Sequence, residues 1–85
     1  MGGGGQPSGG IYRIDGRRLP LRGTPNSRYD LYRNGQMVQS RWFDSRGNPI
    51  RDRDFSGHHR HPNPHDHPWV NGVRGRWESP SPDFV

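Results

Sequence analysis

The 85-residue sequence contains no cysteine and no lysine, and only 25% of its residues are hydrophobic. The absence of cysteine excludes disulfide bonds, one of the usual means by which a small domain compensates for a small core. So few apolar residues can bury only a small hydrophobic core. We therefore expect one small domain at most, for which a metal ion or a partner protein is the remaining source of extra stability.

Long apolar runs are missing as well. No stretch approaches the ~20 apolar residues of a membrane-spanning helix, so we expect no membrane segment. The first ten residues, MGGGGQPSGG, have neither the charged region nor the apolar region of a signal peptide. Action outside the producing cell would then require delivery by a larger carrier protein.

All 13 basic residues are arginine, and the net charge is +5 with histidine neutral. Arginine forms bidentate contacts with phosphate and stacks on bases. Aromatic residues such as Trp42 are interleaved with the arginines. This pattern favours a surface that binds nucleic acid, while a solvated arginine surface without such a partner is the alternative.

The sequence predicts a small all-β fold. Asn34 and Gly35 stand between two β-forming runs, and this pair is a strong hairpin signal because both residues tolerate positive φ. Strands are expected over residues 28–33 and 36–43. A turn and the run IRDRDF then complete a three-stranded antiparallel meander.

The expected turns also set the register. A two-residue turn at the Asn-Gly pair would place Leu31 opposite Val38, and the next turn would place Arg41 opposite Asp52. Asp52 and Asp54 would then lie on one face of a strand. We expect them to be partners of arginines rather than a catalytic pair of carboxylates.

The remaining segments carry weaker signals. The prolines in HHRHPNPHDHPW, residues 58–69, exclude a helix and predict a long loop folded over the sheet. A further hairpin can form around the Asn-Gly pair at residues 71 and 72. We thus expect a flexible glycine-rich linker over residues 1–10, one β domain over 11–78 and a frayed tail over 79–85.

All five histidines fall between residues 58 and 67. His65 and His67 are two positions apart, which in an extended segment directs both imidazoles to one side. Together with His61 and Asp66 they offer ligands for zinc or another divalent transition metal, although the spacing matches no strong zinc signature.

The same composition suits RNA cleavage without a cofactor, because histidine serves as acid or base near neutral pH and arginine stabilises phosphate charge. The acid and base candidates are His58, His65 and His67. The candidates for nucleic-acid binding are Arg41, Arg51, Arg53, Arg60 and Trp42. A metal-dependent nuclease would use the same histidines with Asp52, Asp54 or Asp66. A loop anchored by Trp69, with purely structural histidines, is the third alternative.

Three motifs, TPNS, RWFDSRGNPIRDRDF and PHDHPW, lie within residues 23–69, a little over half of the chain. This stretch resembles C-terminal modules of bacterial polymorphic toxins, RHS-type proteins and phage head-morphogenesis proteins, in particular polymorphic toxin type 24. Asp54, Phe55 and His58 follow the pattern of these modules. The chain is richer in histidine here than the pattern of these modules. It therefore stays open whether His58, His59 or His61 corresponds to the histidine of the pattern.

The resemblance implies a toxin domain that acts on nucleic acid in a competitor's cytoplasm and that an immunity protein neutralises. Our leading hypothesis is accordingly a small bacterial toxin or effector domain that cleaves RNA. The competing hypothesis is a non-catalytic binding or assembly module whose histidine cluster holds a structural metal. Nonspecific nucleic-acid binding without turnover is a third possibility.

Overall fold

A computed structural model describes residues 6–55 and 60–85. Within these ranges the chain forms strands and no helix, which confirms the all-β prediction. The strands follow one another in space in the order of the sequence. They are β1 (Ile11–Asp15), β2 (Arg28–Arg33), β3 (Gln36–Phe43), β4 (Pro49–Asp54), β5 (His65–Val70) and β6 (Val73–Arg74).

The first connection is a crossover rather than a hairpin. β1 runs parallel to β2, while every later pair of neighbours is antiparallel. Parallel neighbours cannot be joined by a tight turn, so residues 16–27 run back across the sheet. This segment buries Leu19, which is 3% exposed.

The β2–β3 turn forms at Asn34 and Gly35, with φ values of 50° and 78°. The register then shifts between Leu31 and Tyr32, so Leu31 lies opposite Gln39. The predicted pairing of Leu31 with Val38 is therefore wrong, because a bulge adds one residue to β3. The next hairpin pairs Arg41 with Asp52 as expected.

The loop predicted for residues 58–69 ends at His65, where β5 begins. Residues 65–68 of β5 pair with β4, so the sheet extends into the second half of the histidine segment. The C-terminal hairpin is present as the turn between β5 and β6. Its Asn71 and Gly72 have positive φ, as the Asn-Gly signal predicts.

The two ends of the described chain are tied to the sheet. Gly9 N–H donates to Asn26 at 2.8 Å, which orders part of the expected linker. The expected frayed tail over 79–85 is corrected as well. Trp42 Nε1 donates to Val85 O at 3.0 Å, and Arg53 donates to Ser81 O at 2.8 Å. The tail is held because it supplies acceptors to side chains of the sheet.

The hydrophobic core is small, as the composition requires, and charged groups are buried beside it. The buried apolar residues are Leu19, Leu31, Trp42 and Phe43. The buried ionisable residues are Asp30, Arg41, Arg51, Asp52, His65 and Asp66. Removing a charge from water costs several kcal/mol, so these groups require close partners.

Candidate functional site

The site is built on β4 and β5, which are antiparallel neighbours. Asp54 lies opposite His65, and Asp52 lies opposite His67. Alternate residues of a strand share a face, so all four side chains lie on one face of the sheet. The rings of His65 and His67 are 5.1 Å apart, which agrees with the expectation that both point to one side.

The side chains of Asp54, His65 and His67, here called the Asp54 cluster, converge on one point. Oδ2 of Asp54 is 3.3 Å from Nε2 of His65 and 3.7 Å from Nε2 of His67. The potential ligand atoms of all three residues lie within 4.8 Å of one another. Zinc bonds of ~2.0 Å in a tetrahedron separate ligand atoms by roughly 3.3 Å, so this spacing suits a metal ion.

Backbone carbonyls fix the orientation of both imidazoles. Nδ1 of His65 lies 2.9 Å from Pro62 O, and Nδ1 of His67 lies 2.9 Å from Gly75 O. A carbonyl oxygen only accepts, so each Nδ1 is the donor. Nε2, the nitrogen left for a metal, faces the Asp54 carboxylate in both residues. Metal-binding histidines commonly donate their other N–H in this way.

Two further side chains hold the carboxylate of Asp54. Gln39 donates to Oδ1 at 2.8 Å, and Arg74 donates to Oδ2 at 2.7 Å. Nε of Arg74 also lies 3.2 Å from Asp52 Oδ2. The Arg74 side chain is 38% exposed, so its guanidinium has room to move away. A metal ion and Arg74 would therefore compete for the same oxygen.

The cluster opens into a cavity of about 430 Å³, here called the cluster groove. Arg60, His61 and Arg74 complete its walls. The ring of His61 lies 5.0 Å from that of His65 and packs against Trp77. His58 and His59 lie outside the described residues, so the role predicted for His58 stays a prediction.

Asp66 is placed away from the cluster, although the sequence named it as a possible metal ligand. It follows His65 directly, so its side chain lies on the opposite face of β5. There it accepts from Arg51 Nε at 2.6 Å, Arg53 Nε at 2.7 Å and Ser81 N–H at 3.0 Å. The proposed ligand set is corrected accordingly, with Asp54 in place of Asp66.

The arginine bonds also decide the ionisation of Asp66. Burial alone would raise the pKa of this carboxyl, but the hydrogen bonds from Arg53 and Arg51 outweigh it and hold the pKa below its usual range. Burial alone would lower the pKa of Arg51, but its hydrogen bonds to Asp66 and Glu78 outweigh burial and raise the pKa above its usual value. Asp66 and Arg51 therefore stay charged, and their ion pair joins β5 to β4.

Most of the arginines predicted to bind nucleic acid have partners inside the protein. Arg41 is 7% exposed and holds both carboxylate oxygens of Asp52, at 2.7 and 3.0 Å. This pair confirms the expected structural role of Asp52. Arg51 is 7% exposed and binds Asp66, as does Arg53, while Trp42 packs against Phe84 of the tail. Of the predicted set, Arg60 lines the cluster groove.

Sequence reasoning missed Arg74, and it named Asp54 only among three alternative carboxylates. A usable signal was present for Arg74. A two-residue turn at residues 71 and 72 pairs Trp69 with Arg74, which brings Arg74 to the face that carries His67. Asp54 could be preferred over Asp66 from strand alternation once β5 was recognised as a strand.

Comparisons of the chain with models of known protein families, with curated proteins and with solved structures found no match. In the described residues no helix is long and apolar enough to cross a membrane. The resemblance to toxin modules therefore stays an expectation.

Proposed function

We propose that the Asp54 cluster binds a divalent transition metal, with zinc as the first candidate, and that the loaded site hydrolyses phosphodiester bonds of RNA. One observation carries the proposal. Two Nε2 atoms, each oriented by a carbonyl at its Nδ1, converge on a single carboxylate oxygen at an open groove. The donor set of two imidazoles and one carboxylate suits zinc.

The geometry supports a metal centre better than cleavage by histidine acid and base groups alone. A general acid or base has to come within hydrogen-bonding reach of the substrate proton. His65 is only 2% exposed, and both of its ring nitrogens face protein atoms. A metal ligand needs no such access, so burial of His65 is compatible with this role.

The cluster also leaves room for chemistry. Catalytic zinc sites have three protein ligands and one open position, and a zinc-bound water has its pKa lowered to ~7. In the proposed reaction the water oxygen bonds to phosphorus, the bond from phosphorus to the leaving oxygen breaks, and the water proton ends on that oxygen. Arg60 and Arg74, which line the groove, would contact the phosphate.

The resemblance described above supports a biological setting for this activity. In that setting the domain is a toxin or effector that cuts nucleic acid in the cytoplasm of a target cell. An immunity protein that covers the cluster groove would block both the open metal position and the two arginines. Co-purification of such a partner, lost when Arg60 and Arg74 are both replaced by glutamate, would support this arrangement.

Cleavage of a labelled single-stranded RNA tests the proposal. Protein freed of metal with EDTA should be inactive, and added zinc should restore cleavage in the wild type but not in His67→Ala. Asp15→Asn, which changes an exposed carboxylate on β1, is the matched control and should cleave normally. Cleavage that is equal in EDTA and in zinc would refute a metal-dependent nuclease.

A structural metal in a non-catalytic module is the second candidate, and the position of His61 favours it. Its ring packs beside both cluster histidines, at 5.0 and 6.3 Å, where a fourth ligand would close the site. His61→Ala separates the two functions. A structural site predicts a clear loss of zinc affinity, whereas a catalytic site predicts retained zinc binding.

A further inference from the structure

A second cavity, of about 460 Å³, lies at the other end of β5 and is here called the Trp69 groove. Its walls combine an indole ring with aliphatic and polar groups. The lining residues that matter here are Trp69, Leu21, Ile50, Asp44, Asn48 and Asn71. None of them belongs to the Asp54 cluster, so the cavity is a separate feature that the proposed hydrolysis leaves unexplained.

The two grooves lie along one strand. His65, His67 and Trp69 alternate in β5 and therefore share a face. At about 3.3 Å per residue, Trp69 lies roughly 7 Å from His67 and roughly 13 Å from His65. A strand of nucleic acid with a phosphate at the cluster would thus bring a neighbouring nucleotide to the Trp69 groove.

Trp69 is not explained by the fold alone. The guanidinium of Arg41 lies over the ring, 5.0 Å from its centre. Its indole Nε1 is buried without a hydrogen-bond partner among the described residues. An unpaired buried donor costs stability that phenylalanine would not cost. A residue that breaks a local rule in this way is often found at a functional site.

The polar wall of the groove favours particular bases. Oδ1 of Asp44 accepts the backbone N–H groups of Arg46 and Asn48, at 2.8 and 2.9 Å. Both bonds lower the pKa of Asp44, and the bond from Asn48 has the larger effect. The carboxylate is therefore ionised and only accepts hydrogen bonds. Exocyclic amino groups of adenine, cytosine and guanine are suitable donors for its second oxygen, whereas uracil has no such group.

An arginine is bonded to one of the polar residues that line the groove. Arg22 donates to Asn48 Oδ1 at 2.8 Å and to the backbone oxygen of Arg46 at 2.9 Å. Arginine beside an aromatic wall is the combination with which proteins bind single-stranded nucleic acid, because the ring stacks on a base and the cation meets the backbone phosphate.

We infer that the Trp69 groove is a base-binding subsite that seats one nucleobase with an exocyclic amino group from the RNA strand that crosses the Asp54 cluster. The inference deepens the proposed function and rests on it for the identity of the strand. Binding of the base itself requires no metal and no cleavage, so the two can be tested separately.

The test measures binding of short oligonucleotides in EDTA, where no hydrolysis is expected. Fluorescently labelled oligocytidylate, oligouridylate and an abasic sugar-phosphate oligomer of equal charge are titrated with the whole protein. The wild type should bind oligocytidylate roughly tenfold more tightly than the abasic oligomer, because stacking on an aromatic ring contributes on this order. Oligouridylate should fall between them. Equal affinity for all three would overturn the inference.

Two substitutions locate the effect. Trp69→Leu should remove the preference for base-bearing oligomers while leaving binding of the abasic oligomer unchanged. Asp44→Asn keeps the Oδ1 acceptor and replaces the second oxygen with an amide donor, so it should shift the preference from oligocytidylate toward oligouridylate. Base preferences that persist unchanged in Asp44→Asn would place the subsite elsewhere, even if Trp69→Leu fails to fold.

A matched pair of turn variants adds a control that preserves the backbone. Asn71→Gly removes an amide from the groove at a residue with φ of 51°, and Asn34→Gly makes the same change at φ of 50° in the distant β2–β3 turn. Only Asn71→Gly should weaken oligocytidylate binding. Base preference without RNA cleavage would sink the proposed nuclease and keep the subsite, whereas cleavage without base preference would do the reverse.

Discussion

Asp66 is a fully buried carboxylate held by two arginines on one face of the sheet. Removing the charge of one partner of a buried ion pair leaves the other charge unpaired, at a cost of about 3–5 kcal/mol. Asp66→Asn should therefore lower the free energy of unfolding by about this amount in urea denaturation. Asp15→Asn, in an exposed pair with Arg13, should change it by less than ~0.5 kcal/mol. Equal effects of the two substitutions would contradict a structural role for Asp66.

The lowered pKa of Asp66 also predicts how stability depends on pH. The unfolded chain has its aspartate pKa near ~3.9, above that of the folded state, so the unfolded state binds the proton more readily. The contribution of Asp66 is complete above that pH and is lost as the pH falls through the folded pKa. Urea midpoints measured from pH 7 down to pH 2.5 should fall below pH 4 in the wild type. A shallower fall is expected in Asp66→Asn.

At the scale of elements, the turns could be predicted from the sequence, whereas the bulge in β3 could not. The Asn-Gly pair at residues 34 and 35 predicted the β2–β3 hairpin because its positive φ angles are a local property of those residues. The bulge that moves Leu31 opposite Gln39 is set by packing across the sheet, which no local pattern reports.

The sequence did not predict β5, because the prolines at positions 62, 64 and 68 indicated a loop. Pro68 argues against a strand, yet it pairs with Arg51, and its carbonyl accepts Gly75 N–H at 2.6 Å. Proline lacks only the N–H donor, so its carbonyl still accepts a hydrogen bond in the strand. The spacing of His65 and His67 predicted that both imidazoles point to one side of an extended segment, whereas the choice of Asp54 as their partner needed the pairing of β5 with β4.

The β5–β6 hairpin places Arg74 where it donates a hydrogen bond to Asp54 Oδ2, the oxygen that a metal would bind. Arg74→Gln should tighten zinc binding by about tenfold, because a charge-assisted hydrogen bond of ~1.5 kcal/mol no longer has to be broken. RNA cleavage should fall at the same time, since a phosphate contact is lost. Competition with a chromophoric zinc chelator measures the affinity, and Arg76→Gln is the neighbouring control. Unchanged affinity in Arg74→Gln would show that Arg74 does not compete with the metal.

At the scale of the whole molecule, charge replaces much of the apolar core. The chain buries few hydrophobic side chains and holds its sheet with arginine–aspartate pairs on both faces. The Asp54 cluster joins β4 to β5, so a bound metal would link two neighbouring strands. A ligand that binds only the folded state stabilises it by ~2.7 kcal/mol at a hundred times its Kd, which corresponds to a rise in Tm of about 15 °C for a domain of this size.

Calorimetric titration of metal-free protein with zinc tests the metal centre most directly. We predict one zinc ion per chain and a Tm that rises with zinc concentration. Loss of a group that only supports a metal ligand can lower metal affinity by ~100-fold, and loss of the ligand itself should lower the affinity at least as much. Zinc binding and the rise in Tm should therefore both disappear in Asp54→Asn. Asp15→Asn should titrate like the wild type. Absence of zinc binding in the wild type, or equal binding in Asp54→Asn, would contradict the account.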